Sequence, residues 1–258
     1  MTTTMNRLPV STWNPLGVNY APASAALPTL PADGWAKAEI LSPALPAGVT
    51  APAEADFTDF AASGMGAETD AWLPENANLV NHLAVSGTAD APVVFENTLD
   101  ADHPHALTCL TIDAAEGSSL TVVQVVRGDA ENGVSANLTR IRAAEGAHVV
   151  LVQVQLLGSR ARRWNAVAIE QGKSARVEQV RIELGGAVVA CGTRTLLNHN
   201  KCEYDLDAVY FGHGSDVLDF NDVSVHTGRD TLCEMHTAGV LTGHADKILR
   251  GTVDFQRG

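Results

Sequence analysis

The chain has 258 residues, 45% of them hydrophobic and 18% charged, which is enough apolar sequence for a sizeable core and too much for intrinsic disorder. Thirty acidic residues against 17 basic ones leave a net charge of −13, without the clustered basic face that nucleic acid or an anionic membrane surface calls for. Four cysteines, Cys109, Cys191, Cys202 and Cys233, form no C-x-x-C pair, which excludes a disulfide scaffold and points to a reducing compartment.

Residues 1–10 (MTTTMNRLPV) hold no apolar signal-peptide core. Nowhere do 18 apolar residues run together, so no helical membrane span is expected and the expected location is cytoplasmic. All eleven prolines lie at or before Pro104. Residues 1–104 therefore form a Pro/Ala-rich N-terminal region suited to extended and turn structure, since proline fixes φ and removes a donor. Short helices are expected in it, with residues 56–62 (DFTDFAA) and 76–83 (NANLVNHL) as candidates.

From residue 105 onward the pattern changes to period two. Residues 120–126 (LTVVQVV), 149–157 (VVLVQVQLL), 176–184 (RVEQVRIEL) and 204–210 (YDLDAVY) alternate as half-buried strands do. In the third, Val180, Ile182 and Leu184 share one face and Arg181 and Glu183 the other. Glycine-bearing turns recur ahead of these strands, at Gly117, Gly146 and Gly172, with nearly even spacing. Residues 198–201 make the next such turn, and later ones fall at 212–214, Gly228 and Gly243. A recurring turn and strand without proline predicts stacked coils, a mainly β parallel β-helix over residues 105–258. An antiparallel sandwich is the alternative that short strands and turns leave open.

Several segments resemble the SufB/SufD family of iron–sulfur cluster assembly proteins. Residues 177–186 (VEQVRIELGG) are similar to a strand and turn of that family. Residues 197–210 (LNHNKCEYDLDAVY) are similar to its L-x-G-x-G-A segment, with His199 and Lys201 where glycine is usual. Residues 223–241 (VSVHTGRDTLCEMHTAGVL) resemble its V-x-H, T-x-S and K-G-V-L run, with His226, Thr231 and Cys233 in those places and cysteine where serine is common. Residues 246–254 (DKILRGTVD) and, at the other end, 8–19 (LPVSTWNPLGVN) resemble its A-x-x-V-F-x-G-x-I strand and SufD-like entry segment. The resemblance implies a right-handed parallel β-helix behind an N-terminal helical region. It also implies a non-enzymatic SufD-like subunit of a SUF complex, partnered by a SufB-like subunit and a SufC-like ATPase. Family members continue past the last strand, so the chain is expected to be short at its C-terminus.

The candidate metal ligands are His226, Cys233, Cys202 and Asp222, the residue types that hold iron, zinc or an iron–sulfur cluster. On a strand, residues an even number apart share a face, so Asp222 and His226 go together. Asp219 points the other way, and Cys233 and His236 are split across the pleat. Cys109 and Cys191 are expected in the core, and Cys202, just after a turn, is the most plausible of the four thiols to be exposed. No catalytic residue is expected: the chain carries neither G-x-x-x-x-G-K-[ST] nor G-x-S-x-G. With no short-range cysteine pair, the chain alone is expected to hold no stable cluster, only a transient one at an interface shared with a partner. A homodimer is expected in isolation. The alternatives are a β-helix carbohydrate-active enzyme, which would need paired carboxylates, and an interaction module that has lost the cluster-building segment.

Overall fold

Period-two alternation without proline becomes strand pairing, because every backbone N–H from Leu79 onward is free to enter a ladder except at Pro92 and Pro104, which fall between strands. The computed structural model describes residues 5–11, 14–22, 25–27, 33–36, 38–40, 44–52 and 60–256. In the described residues a 3₁₀ turn, two short strands, β1 (Ala38–Ile40) and β2 (Val49–Thr50), and one α-helix, α1 (Ala67–Asn76), precede the main stack. The stack comprises β3 (Leu79–Val85), β4 (Val93–Leu99), β5 (His105–Ala114), β6 (Ser119–Gly128), β7 (Val134–Ala143), β8 (His148–Leu157) and β9 (Arg162–Gln171). It continues with β10 (Arg176–Leu184), β11 (Val188–Leu197), β12 (Glu203–Gly212), β13 (Val217–His226), β14 (Leu232–Leu241) and β15 (Asp246–Phe255).

From β3 onward the even-numbered strands form one sheet, the even sheet, edged by β1, in the order β1-β4-β6-β8-β10-β12-β14, and the odd-numbered strands form the other, the odd sheet, edged by β2, in the order β15-β13-β11-β9-β7-β5-β3-β2. Every pair within the stack is parallel; only β1 on β4 and β2 on β3 are antiparallel. Each coil is thus one even and one odd strand, and the protein is a parallel β-helix, not a sandwich. Ser119 lies beside His148 in the even sheet and Arg162 beside Val188 in the odd sheet, each pair one coil apart. The stack reaches upstream of residue 105, since β3 and β4 already pair in register with β5 and β6.

The turns stack as well, in two columns. Gly117 N donates to Glu145 O, Gly146 N to Lys173 O, Ser174 N to Asn200 O and Lys201 N to Arg229 O, all at 2.8–2.9 Å. The sequence series at Gly117, Gly146 and residues 198–201 is this column, and Gly228 belongs to it too. The turns at 212–214 and Gly243 belong to the second column, where His244 N donates to Gly214 O. In the first column one position needs left-handed backbone. Gly117 and Gly146 supply it freely, whereas Ser174, Lys201 and Asp230 adopt it with a Cβ, at φ of 54°, 61° and 56°.

The expected helix at 76–83 is a correction: α1 ends at Asn76, and the residues after it enter β3. Alternate residues there, Leu83 and Val85, are buried in the coil interior, so sheet pairing with β5 overrides a weak helical pattern. The candidate at 56–62 falls largely outside the described residues; Phe60, Ala61 and Ala62 are in no helix.

The N-terminal region covers the outer face of the odd sheet. Met5, Ala25, Met65 and Leu73 pack on Leu107, Leu138, Trp164 and Ala190. Trp164 Nε1 donates to Ala25 O at 2.8 Å, and Asn221 Nδ2 donates to Gly64 O at 2.7 Å. Contact is close enough that a Cβ on Gly192 would run into the Met65 backbone nitrogen.

Lys201→Gly should relieve the left-handed strain without removing any packing, since the side chain is exposed. An increase in unfolding free energy of up to about 1 kcal/mol is expected in urea melts; an unchanged or lower midpoint would show the lysine to be at ease there.

Candidate functional site

The interior of the β-helix is apolar along the first turn column, polar in mid-strand, and apolar again toward the second column at Val126, Leu157, Val189 and Leu218. Leu120, Val149, Val177 and Tyr204 line the apolar part from the even sheet, with Ile112, Ile141, Ile169 and Leu197 facing them from the odd sheet. Further along β6, β8 and β10, inward positions carry amides and charges. Gln153 Nε2 donates to Gln124 Oε1 at 2.8 Å and to Asn165 Oδ1 at 3.0 Å. Gln179 Nε2 donates to Gln153 Oε1 at 3.0 Å, and Tyr204 OH donates to Gln179 Oε1 at 2.8 Å. The network therefore climbs the axis coil by coil, from β6 to β12.

At its upper end lies a buried ion pair. Arg181 Nη1 and Nη2 reach Asp222 Oδ1 and Oδ2 at 2.8 and 2.9 Å, with side chains 1% and 4% exposed. Burial works against the Arg181 charge, but Asp222 more than offsets it and holds the guanidinium above its ordinary range. Lys247 sits one coil above, its Nζ 3.6 Å from the Tyr210 ring centroid; burial and then Arg181 lower its pKa to about 8.

Of the four candidate ligands, Asp222 faces inward and is committed to Arg181. His226 also faces inward, two repeats of the pleat along the same strand. Its ring nitrogens lie 2.9 Å from Ser224 Oγ and 2.7 Å from Thr231 Oγ1, it stacks on Phe255 at 4.7 Å, and burial lowers its pKa. Its partners are hydroxyls, as suits a neutral imidazole. Cys233, half-buried on β14, hydrogen-bonds with Ser224; burial raises its pKa and that bond partly offsets the rise. Cys202 is a correction: it is fully buried, not exposed. It lies in the core beneath the turn, donating to His199 O at 2.9 Å and Gly172 O at 3.1 Å, because a small thiol fills the space where the turn closes. Burial raises its pKa.

Thus Cys202 and Cys233 come onto adjacent coils of one apolar cluster, and Cys233, Ser224, His226 and Thr231 form a chain of polar contacts. Cys191 lies inside against Glu183 Oε1 at 3.4 Å, and Cys109 lies under the N-terminal cover. Burial pushes Cys109 up to about 12 and Cys191 well above the usual thiol range. His236 projects outward on Asp207, 3.4 Å away. Asp219 faces outward too and pairs with Arg250 at 2.7 and 2.9 Å, with Asn6 at 2.6 Å on the same carboxylate. No group of three or more His, Cys, Asp or Glu among the described residues is placed to hold a metal ion. The thiolate is the metal ligand, and none of the four thiols is held in that form by a neighbouring cation.

The ion pair and the amide network escape a reading of the sequence by periodicity. A signal exists: Gln124 and Gln153, and Asn137 and Asn165, recur at the coil period and are register partners.

Arg181→Met would leave Asp222 buried without its partner, at an expected cost of about 3–5 kcal/mol. Adding Asp222→Leu should recover most of that loss. Guanidinium melts of the two variants check this, and a double variant as unstable as the single one would refute it.

No curated protein matches the chain. Residues 97–258 match the family described as SUF system FeS cluster assembly, SufBD core domain, which spans the stack from the end of β4 to beyond β15. The chain belongs to the SufBD core-domain family of the SUF iron–sulfur cluster assembly system.

Proposed function

We propose that this chain is a non-enzymatic, SufD-like scaffold subunit of a SUF assembly complex, partnered by a SufB-like subunit and a SufC-like ATPase. The family match over residues 97–258 carries the reading. The iron–sulfur cluster is cargo. Every cysteine in the chain has its thiol shifted toward the protonated form by burial, and Asp222 is tied to Arg181. A cluster therefore passes at an interface where a partner supplies ligands, with His226 and Cys233 the nearest groups of this chain.

The interface in this reading is the end of the stack formed by β14 and β15, the last strands of their sheets. Phe255, Leu249 and Val253 are 77%, 48% and 47% exposed there. Exposed apolar side chains on adjoining strands invite a partner.

In isolation the chain should pair with itself through that end. Light scattering should give about twice the 27.1 kDa chain mass, and Val253→Asp with Phe255→Asp should give the monomer. A monomeric parent at high concentration would sink this part.

Anaerobic reconstitution with iron and sulfide should leave only trace iron on the purified chain, equally in the parent and in a Cys202→Ser, Cys233→Ser variant. Co-expression with a SufB-like subunit and a SufC-like ATPase should give a complex that retains iron. Stoichiometric iron on the parent alone, absent from the variant, would assign the cluster to these two thiols and overturn the scaffold reading.

A further inference from the structure

The two sheets differ in what lies on their outer faces. On the odd sheet, α1 and the N-terminal segments lie over the strands, with Leu73 of α1 fully buried against β5 and β7. On the even sheet no described residue plays that part, yet the half of its outer face toward the second turn column is apolar. Because β10 turns Gln179, Arg181 and Glu183 inward, Val180, Ile182 and Leu184 face out. The same happens on each side of it. Val125, Val154, Ile182 and Val209 are register neighbours on β6, β8, β10 and β12 and form one outward row. Leu156, Leu184 and Phe211 begin the next, with Leu156 45%, Leu184 38%, Phe211 37% and Val209 46% exposed.

Charge is arranged along one side of these rows. Glu178, Asp205 and Glu234 are register neighbours toward the first turn column, and Asp207 lies beside them. Arg176 bridges Glu178 at 3.1 Å, Asp205 at 2.9 Å and Glu203 at 3.8 Å. His148 lies 2.8 Å from Glu178, and His236 3.4 Å from Asp207. One permanent cation thus faces five carboxylates. At the far corner Arg127 is taken by Glu96.

We propose that this face docks an amphipathic helix of a partner protein, with an apolar stripe flanked on one side by lysine and arginine. The spacing fits. Strands lie about 4.8 Å apart and helix turns rise about 5.4 Å, so a helix laid along the stack sets successive turns over successive strands. About 14 residues, roughly 20 Å, cover β6 to β14. The apolar stripe covers the Val125 and Leu156 rows, and the basic flank meets the Glu178–Glu234 row. A second copy of this chain fits less well, because two such faces would bring acidic rims into a molecule already at −13. The site reaches β14 only on the outer face of the even sheet, whereas the scaffold reading uses the β14–β15 edge, so variants at Leu184 and Val209 and at Phe255 test the two separately.

The probe is a synthetic 14-residue leucine/lysine amphipathic helix, with its leucine/glutamate counterpart as control, followed by fluorescence anisotropy on the full chain. The leucine/lysine peptide should bind saturably and weaken with salt. Leu184→Glu with Val209→Glu should weaken it at least tenfold while the thermal midpoint holds. Glu178→Lys with Asp205→Lys should abolish the preference for the lysine peptide over the glutamate one. Absence of saturable binding, indifference to the Leu184/Val209 pair, or equal binding of both peptides to the parent would overturn the proposal. So would a parent dimer that the Leu184/Val209 variant breaks and the Phe255 variant does not, which would give the face to a second copy.

Discussion

Each coil of this protein must match the one before it, side chain over side chain. Parallel strands in register place every inward residue against its counterpart on the next coil, and the turns are held by the same rule. The fold therefore propagates by nearest-neighbour terms alone. A polar group admitted to the interior of one coil can be satisfied only by a polar group in the coils beside it or across from it. Gln124, Gln153 and Gln179 show the rule at work, and Tyr204 ends the series with its hydroxyl.

That interior polarity has a consequence for the surface. A strand has two faces, and when one carries Gln, Arg and Glu inward, the aliphatic residues between them are left outside. On β10 the inversion runs from Gln179 onward: Gln179, Arg181 and Glu183 are buried at 1%, 0% and 1% exposure. The Arg181–Asp222 pair is what allows it, since a buried charge without its partner is far costlier than the pair. The apolar outer rows of the even sheet are thus the counterpart of the polar interior. The odd sheet has the same outward apolar character at Leu107, Leu138 and Trp164, and the chain meets it with its own N-terminal region.

The alternation of residues 149–157, 176–184 and 204–210, and the spacing of Gly117, Gly146 and residues 198–201, are enough to read stacked coils. Both depend on local sequence alone. Which face of a strand lies inside is not readable in the same way, because in β10 hydrophobicity points to the wrong face and the correct answer depends on Asp222, two coils away in the opposite sheet. The start of the stack is hidden for a similar reason. Residues 79–85 have little alternation, and their strand state comes from pairing with β5. Cys202 reads as exposed because turns usually are, but the turn column packs its thiol beneath three carbonyls. The approach of the N-terminal region to the odd sheet rests on contacts such as Asn6 with Asp219, far apart in sequence, which no periodicity encodes.

The chemistry of the chain follows the same division. A cluster ligand must be deprotonated and must converge with others on one point. A stack separates cysteines by whole coils unless they fall at matching register, and here only Cys202 and Cys233 come onto adjacent coils of one cluster. Both thiols are pushed toward the protonated form by the apolar core that positions them. The same packing that builds the stack therefore raises the pKa of both thiols. Among the described residues, the apolar surfaces that packing leaves exposed are the β14–β15 end, where His226 and Phe255 stack, and the aliphatic outer rows of the even sheet.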